Sequence, residues 1–489
     1  MAKPQDDAAP SPSVGQPVGQ SVGQSALTGV SRRDFLLRSG LIVAGVTGGS
    51  SLLAACAGGG GGGTGPGGGG GGGAGLKILL WSHFVPSYDQ WFDAWAKQWG
   101  QQNNINVVVD HIDEADLPTR TASEFSAGSG HDLIEWIVPP SAYEPDVHDM
   151  SDVVQQATSK WGDQISFCKA SSYNPKTGKY YGFCHTYTPD PGDYRKSLWS
   201  AVGMGSGPTT WDELLSGGAQ IKQQKKVRMG IGMSSEVDSN MAARALIWSF
   251  DGSIQDANEN VTLNSKQTVD AVKYMASLYK QSMSPEVFSW TAASNNQGLI
   301  AGELSYILNS ISAYRSAQTT NPNIANDIFF LPALKGPNGT GLASQHVVRS
   351  YIMPKWAKNT DKAKQFMLDL VAAGKESVKH SQLYDFPAFA HTPGSGPLPG
   401  WLANDPFHSK PPNKLQVLST AQQWTTNVGH PGPANPAIGE IFDTNVISTM
   451  MANVARGKAS PQDAVSSAHN QCESIFKKWR DKRLVGGSS

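Results

Sequence analysis

The sequence predicts an α/β fold in two domains. Three observations lead there. From Leu76 onward, short apolar runs alternate with stretches of helical periodicity, the order that builds parallel sheets covered by helices. The 414 residues from Leu76 to the end are long for one hydrophobic core and suit two. Charged residues are only 16% and the formal net charge is −1, so the chain lacks the clustered basic face that nucleic acid demands, and no nucleic-acid partner is expected.

Ahead of this region lies a leader. Ser31, Arg32 and Arg33 followed by Phe35 and Leu36 form a twin-arginine export pattern. Residues 41–55 carry no charge and several glycines, too short a run for a stable membrane span, which takes ~20 apolar residues. They read as the core of a signal peptide. Leu53-Ala54-Ala55-Cys56 closes it and resembles a bacterial lipobox, so Cys56 is the expected lipidation site and residues 1–56 the signal. Residues 57–75 are almost all glycine. Such a tether behaves as random coil with a reach of roughly 24 Å. It carries no Lys-Ser/Thr and is no phosphate loop.

The elements follow in order. LKILLW (Leu76–Trp81) is a continuous apolar run, a strand covered on both faces. Ser87 opens a helix whose Trp91, Trp95 and Trp99 fall at i, i+4, i+8 beside Phe92, a stripe that reads as core packing, with Gly100 ending or fraying it. INVVVDHI (105–112), a helix over Leu117–Ala127 and a strand at 132–138 complete a β-α-β-α-β run with right-handed crossovers. In such sheets ligands bind beyond the carboxyl ends of the strands. Cys168 and Cys184 flank a stretch that reads as strand–turn–strand, so the pair could be brought together and joined outside the cell, worth ~3 kcal/mol in the chain-entropy model. Cys472 reads as a buried thiol on a helix. Thr210 with Glu213 predicts a capping box, and Ser265 caps a helix presenting Val269, Val272, Ala276 and Tyr279. The DANEN run at 256–260 lacks the Gly and final Glu of a calcium loop and reads as a hairpin turn. No cysteine or histidine spacing predicts a metal site, and no cofactor is expected.

With these pieces in place the chain resembles a family 1 extracellular solute-binding protein of an ABC importer, in its sugar-binding branch. The similarity is carried by KILLWSH, YYGFCHTYTPDPGDYRK, GPTTWDELL, VTLNSKQTVDAV, AGELSYIL, IFFLPALKG and HPGPANPAIGEIF…GKASPQDAV, in that order over nearly all of 76–480. Cys184 departs from the pattern, standing where the family often has Pro. The resemblance implies a two-lobed, periplasmic-binding-protein-like fold of class II, with a ligand cleft between lobes joined by a hinge. Crossovers would fall near 185–189 and 331–334. Lobe one would hold 76–185 and 335–385; lobe two would hold 186–334 and 386–489. It implies a non-catalytic monomer, lipid-anchored on the outer face of the cell membrane. That monomer would deliver a small carbohydrate, a neutral sugar or oligosaccharide, to an ABC permease driven by a separate ATPase subunit.

A sugar offers apolar C–H faces to aromatic rings and paired hydroxyls to planar polar groups. The ligand-binding candidates, placed by the resemblance and by spacing, are Trp81, His83, Trp136, Tyr143, Asp190, Asp193, Tyr194, Asn309, Tyr314, His346, Arg349 and Trp424. Each has a plainer role available: Asp193 in a surface ion pair with Arg195, His346 as a satisfied loop histidine, Tyr194 packed under its loop, Trp424 in the core. Two alternatives stay open. A glycerol-phosphate or peptide cargo would call on Arg195 and Arg349, and a secreted glycoside-active enzyme would use an acidic pair such as Asp190 and Asp193. G-x-S-x-G and H-E-x-x-H are both absent.

Overall fold

A computed structural model describes residues 75–488. The twin-arginine pair, Cys56 and all but the last residue of the glycine tether lie outside the described residues.

Two sheets organise the chain. The first opens with β1 (Leu76–Trp81), helix α1 (Ser87–Gln102), β2 (Val107–Ile112), helix α2 (Leu117–Ala127) and β3 (Leu133–Trp136). β1 lies between β2 and β3 and is parallel to both, Leu76 opposite Val107 and Ile78 opposite Leu133, as the alternating pattern predicts. β4 (Phe183–Thr188) joins this sheet. The chain then enters a second sheet at β5 (Gly192–Arg195), followed by β6 (Arg228–Gly230), helix α3 (Val237–Ser249), helix α4 (Lys266–Ser282), β7 (Leu304–Leu308), helix α5 (Ser312–Thr320) and β8 (Ile328–Leu331). It returns to the first sheet at β9 (Val347–Ile352) and β10 (Phe386–Pro387). The strand orders are β10-β4-β9-β3-β1-β2 and β8-β5-β7-β6. β9 runs antiparallel to both β3 and β4, with a bulge between Arg349 and Ser350.

β10 pairs with β4, so the chain is still on the first sheet at residues 386–387, where the sequence reading had already moved to lobe two. The C-terminal segment then touches elements of both sheets. The Tyr181 hydroxyl donates to Ala434 O at 3.0 Å, and helix α6 (Val446–Ala455) packs on α4.

Helix α1 packs as its periodicity predicts. Phe92 and Trp99 are buried, Trp91 and Trp95 half-buried, and the ring of Phe366 meets Phe92, Trp95 and Trp99 within 6.0 Å. Gly100 does not end this helix, which runs on to Gln102. It permits close approach instead: a Cβ there would lie 2.7 Å from Ile105 O and 2.9 Å from Val107. Thr210 Oγ1 accepts from Glu213 N, and the Glu213 carboxylate reaches back to the amides of Thr209 and Thr210. Ser265 caps α4 by accepting from Thr268 N, and Asp256 folds its loop by accepting from the amides of Asn258 and Asn260.

The cysteine pair departs from expectation. Cys168 sits in a short helix, Ser166–Ala170, and only Tyr173–Asn174 and Lys179–Tyr180 form the hairpin. Cys168 and Cys184 are buried free thiols whose side chains hydrogen-bond each other, and burial pushes the Cys168 thiol up. Among the described residues no helix is long and apolar enough to cross a membrane.

Candidate functional site

Two polar clusters occupy the strand ends, and they differ in how far their charges are compensated. The first lies inside the first sheet. Arg349 on β9 donates through Nε (3.1 Å) and Nη2 (2.7 Å) to Glu135 on β3, and through Nη1 to Asp385 at 2.8 Å. Its guanidinium lies 4.0 Å from the Tyr88 ring centre and 5.5 Å from that of Trp81. Glu135 also meets His185 Nε2 at 2.8 Å, and Asp385 accepts from Thr188 Oγ1. His83 Nδ1 lies 2.9 Å from Val85 N and 3.1 Å from Val85 O, and its Nε2 lies 3.1 Å from Asp385. Burial by itself would raise Glu135, but Arg349 and His185 override it and hold it at about 2; Asp385 is likewise held below its usual range.

This cluster takes in three of the ligand-binding candidates, all buried. Arg349 is 0% exposed and His83 is buried, both with their polar atoms turned to internal partners. Trp81 is sealed between His83 and Arg349, its ring stacked 5.0 Å from the imidazole. A strand buried on both faces takes its polar residues into the core, where they persist only when paired.

The second cluster lies where the chain passes between the sheets. Asp190 follows β4, and His346 precedes β9. His346 Nδ1 is 3.1 Å from Asp190 Oδ1 and 3.7 Å from Asp238 Oδ1 at the first turn of α3. Asp238 Oδ2 accepts from Asn295 Nδ2 at 2.7 Å. The neighbouring Asn296 donates to Ser312 Oγ at 3.1 Å and accepts from Asn309. Tyr384 stands edge-on to His346 at 6.3 Å. Glu236 caps α3 by accepting from the amides of Asp238 and Ser239. Asp190, Asp193 and Asp238 are all pushed above the usual carboxylate range, first by burial; Asp190 adds to the rise at Asp193, and Glu236 and Asp190 to that at Asp238.

Of the sequence candidates, the structure brings Asp190, His346 and Asn309 into this cluster. Asp193 is on β5 behind Asp190, 0% exposed, with both oxygens unpartnered and no ion pair to Arg195, which binds Asp327 instead. The others lie elsewhere. Tyr194 is buried, its ring 6.2 Å from Phe329. Tyr314 is 1% exposed, T-shaped against Phe330, and donates to Ser409 at 2.7 Å, so it clamps the 405–414 segment. Trp424 is buried and donates to Thr420 one turn earlier. Trp136 packs on half-buried Tyr143, which also meets Phe125 at 4.6 Å and whose hydroxyl burial pushes up to about 12. Asp238, Asn295, Asn296 and Tyr384 were missed. Their signals were the Glu236-x-Asp238 start of a helix and the Asn-Asn pair, both ordinary capping and turn chemistry until tertiary contacts place them.

A sequence model of bacterial extracellular solute-binding proteins matches residues 94–391, more than half of the chain. The chain belongs to this family. No curated protein sequence matches it. This solute-binding protein is similar in fold to solved structures at low identity. One is the maltose-bound T. maritima MalE3, at 16% identity, covering 82% of this chain and 99% of that one, with a TM-score of 0.68. Another is a sugar transporter from Arthrobacter chlorophenolicus A6 with bound laminaribiose, at 16% identity, 82% and 99% coverage and a TM-score of 0.69. A third is an ABC transporter solute-binding protein from Agrobacterium radiobacter K84 in complex with ribitol, at 18% identity, 82% and 98% coverage and a TM-score of 0.67. The fold is therefore the two-lobed periplasmic-binding-protein type.

Proposed function

We propose that this protein captures a carbohydrate between its lobes and hands it to an ABC permease driven by a separate ATPase. The twin-arginine route exports it, the Cys56 lipid holds it on the outer face of the cell membrane, and residues 57–75 give it reach. The observation that carries the reading is the polar cluster of Asp190, His346, Asp238 and the Asn295–Asn296 pair with Asn309, beside the segments that join the lobes. Ligand bound there would bridge the lobes and favour a closed state, the form a permease can read. The similar proteins that hold maltose, laminaribiose and ribitol support a hydroxyl-rich cargo. A phosphate cargo finds less support, because Arg195 is held by Asp327 and Arg349 by Glu135 and Asp385.

We read the protein as a receptor rather than an enzyme, since Asp193, the partner an acid–base pair with Asp190 would need, is sealed in the sheet. The test is a thermal-shift screen of the full-length protein in detergent against sugars, polyols, glycerol phosphates and peptides. A ligand at 100 Kd adds ~2.7 kcal/mol. A shift with a sugar or polyol that is then recovered intact supports the reading. A shift confined to phosphates or peptides overturns the carbohydrate, and cleaved sugar overturns the receptor. Cys56→Ala should release the protein from the membrane fraction.

A further inference from the structure

The Asp190–Asp238 cluster gathers more buried carboxyl oxygens than it has hydrogen-bond donors to meet. Asp190 is 1% exposed, and its Oδ2 has no hydrogen-bond partner. Asp238 Oδ1 has none either; its nearest basic group is His346, at 3.7 Å. Asp193, behind Asp190, has neither oxygen satisfied. Against these stands one imidazole. Among the described residues no lysine or arginine forms an ion pair with Asp190, Asp193 or Asp238, whereas Glu135 and Asp385 share Arg349, which lies a few residues along β9 from His346.

With no counter-charge beside them these carboxyls are pushed toward their protonated forms, first by burial, and a neutral hydroxyl could meet the free oxygens without restoring the carboxylates. A protonated amine does both at once: it donates up to three hydrogen bonds and supplies the missing positive charge. A metal ion is the weaker match. Among the described residues no group of three or more His, Cys, Asp or Glu side chains is arranged to hold one.

We propose that the cargo is a basic carbohydrate, an amino sugar or amino polyol, whose ammonium group sits between Asp190 and Asp238 beside His346. This deepens the carbohydrate reading above and rests on it, replacing the neutral sugar expected from sequence with a cationic one.

The test is isothermal titration of the full-length protein in detergent with matched pairs at pH 7. These are D-glucosamine and D-glucose, the β-1,4 glucosamine dimer and cellobiose, and 1-amino-1-deoxysorbitol and sorbitol. The N,N′-diacetylated dimer serves as the uncharged control and spermidine as an amine without a sugar. The amine member of at least one pair should bind roughly tenfold or more tightly than its neutral partner. Acetylation should abolish that margin, as should Asp190→Asn and Asp238→Asn. Equal or tighter binding of the neutral members overturns the amine and leaves the carbohydrate reading standing. Binding of spermidine alone keeps the cation and overturns the carbohydrate, and binding of no member overturns both. The comparison on the unaltered protein decides the matter even where a variant fails to fold.

Discussion

Replacing Arg349 with Met tests whether the first polar cluster is architecture. The side chain is 0% exposed, and its three hydrogen bonds of 2.7 to 3.1 Å neutralise Glu135 and Asp385 together. Methionine fills similar volume but leaves two buried carboxylates without a cation, a loss of ~3–5 kcal/mol for a broken buried pair. Over the 414 described residues the unfolding entropy is roughly 0.9 kcal/mol/K, so the melting temperature should fall by roughly 3–6 °C at pH 7. The pH dependence carries the sharper signature. In the unaltered protein both carboxyls are held below their unfolded values, so their contribution is present above pH ~4 and is lost as pH falls through about 2. In the variant burial is unopposed by the guanidinium, and the carboxyls take up protons at higher pH than in the parent. The deficit against the parent should therefore shrink as pH drops toward 4. Scanning calorimetry from pH 8 to pH 4 measures it. A variant as stable as the parent at pH 7, or a deficit that does not change with pH, would refute the reasoning.

Three further outcomes are expected. Asp193→Asn should stabilise the ligand-free protein at pH 8 more than at pH 5, by on the order of 1 kcal/mol, because a carboxyl whose folded value is raised gives stability below its unfolded value that is lost as pH rises; urea denaturation at the two pH values checks it. Ser265→Ala should cost ~1 kcal/mol by leaving Thr268 N without its cap, read from the shift of the urea midpoint. Cys168, Cys184 and Cys472 should resist a thiol reagent in the native protein and all react once it is denatured, whereas a Cys168–Cys184 disulfide would leave only one of the three reactive without reductant.

Local periodicity and capping chemistry determined much about this protein. The parallel β1–β2–β3 run, the α1 stripe and the caps at Thr210 and Ser265 are set by residues within a few positions of one another, and the ordered motifs were enough to identify the family. The two polar clusters were decided by tertiary structure. Arg349, Trp81 and Tyr314 look from sequence like ligand contacts, because aromatic and charged residues at strand ends favour that reading. Pairing of β9 with β3 sets Arg349 against Glu135, and the 405–414 segment closes over Tyr314. Conversely, Asp238 and Asn296 read as capping and turn residues until α3 and the Asn-Asn segment are folded against His346 and Asn309. Whether a buried charge serves the core or a ligand depends on whether a partner more than a hundred residues away arrives to compensate it. Arg349 reaches Glu135 across 214 positions, while among the described residues Asp190 and Asp238 are met by an imidazole, His346, and by no lysine or arginine. Sequence spacing does not encode that difference, because the electrostatic cost of burial is paid only between groups that the finished fold brings within a few ångströms.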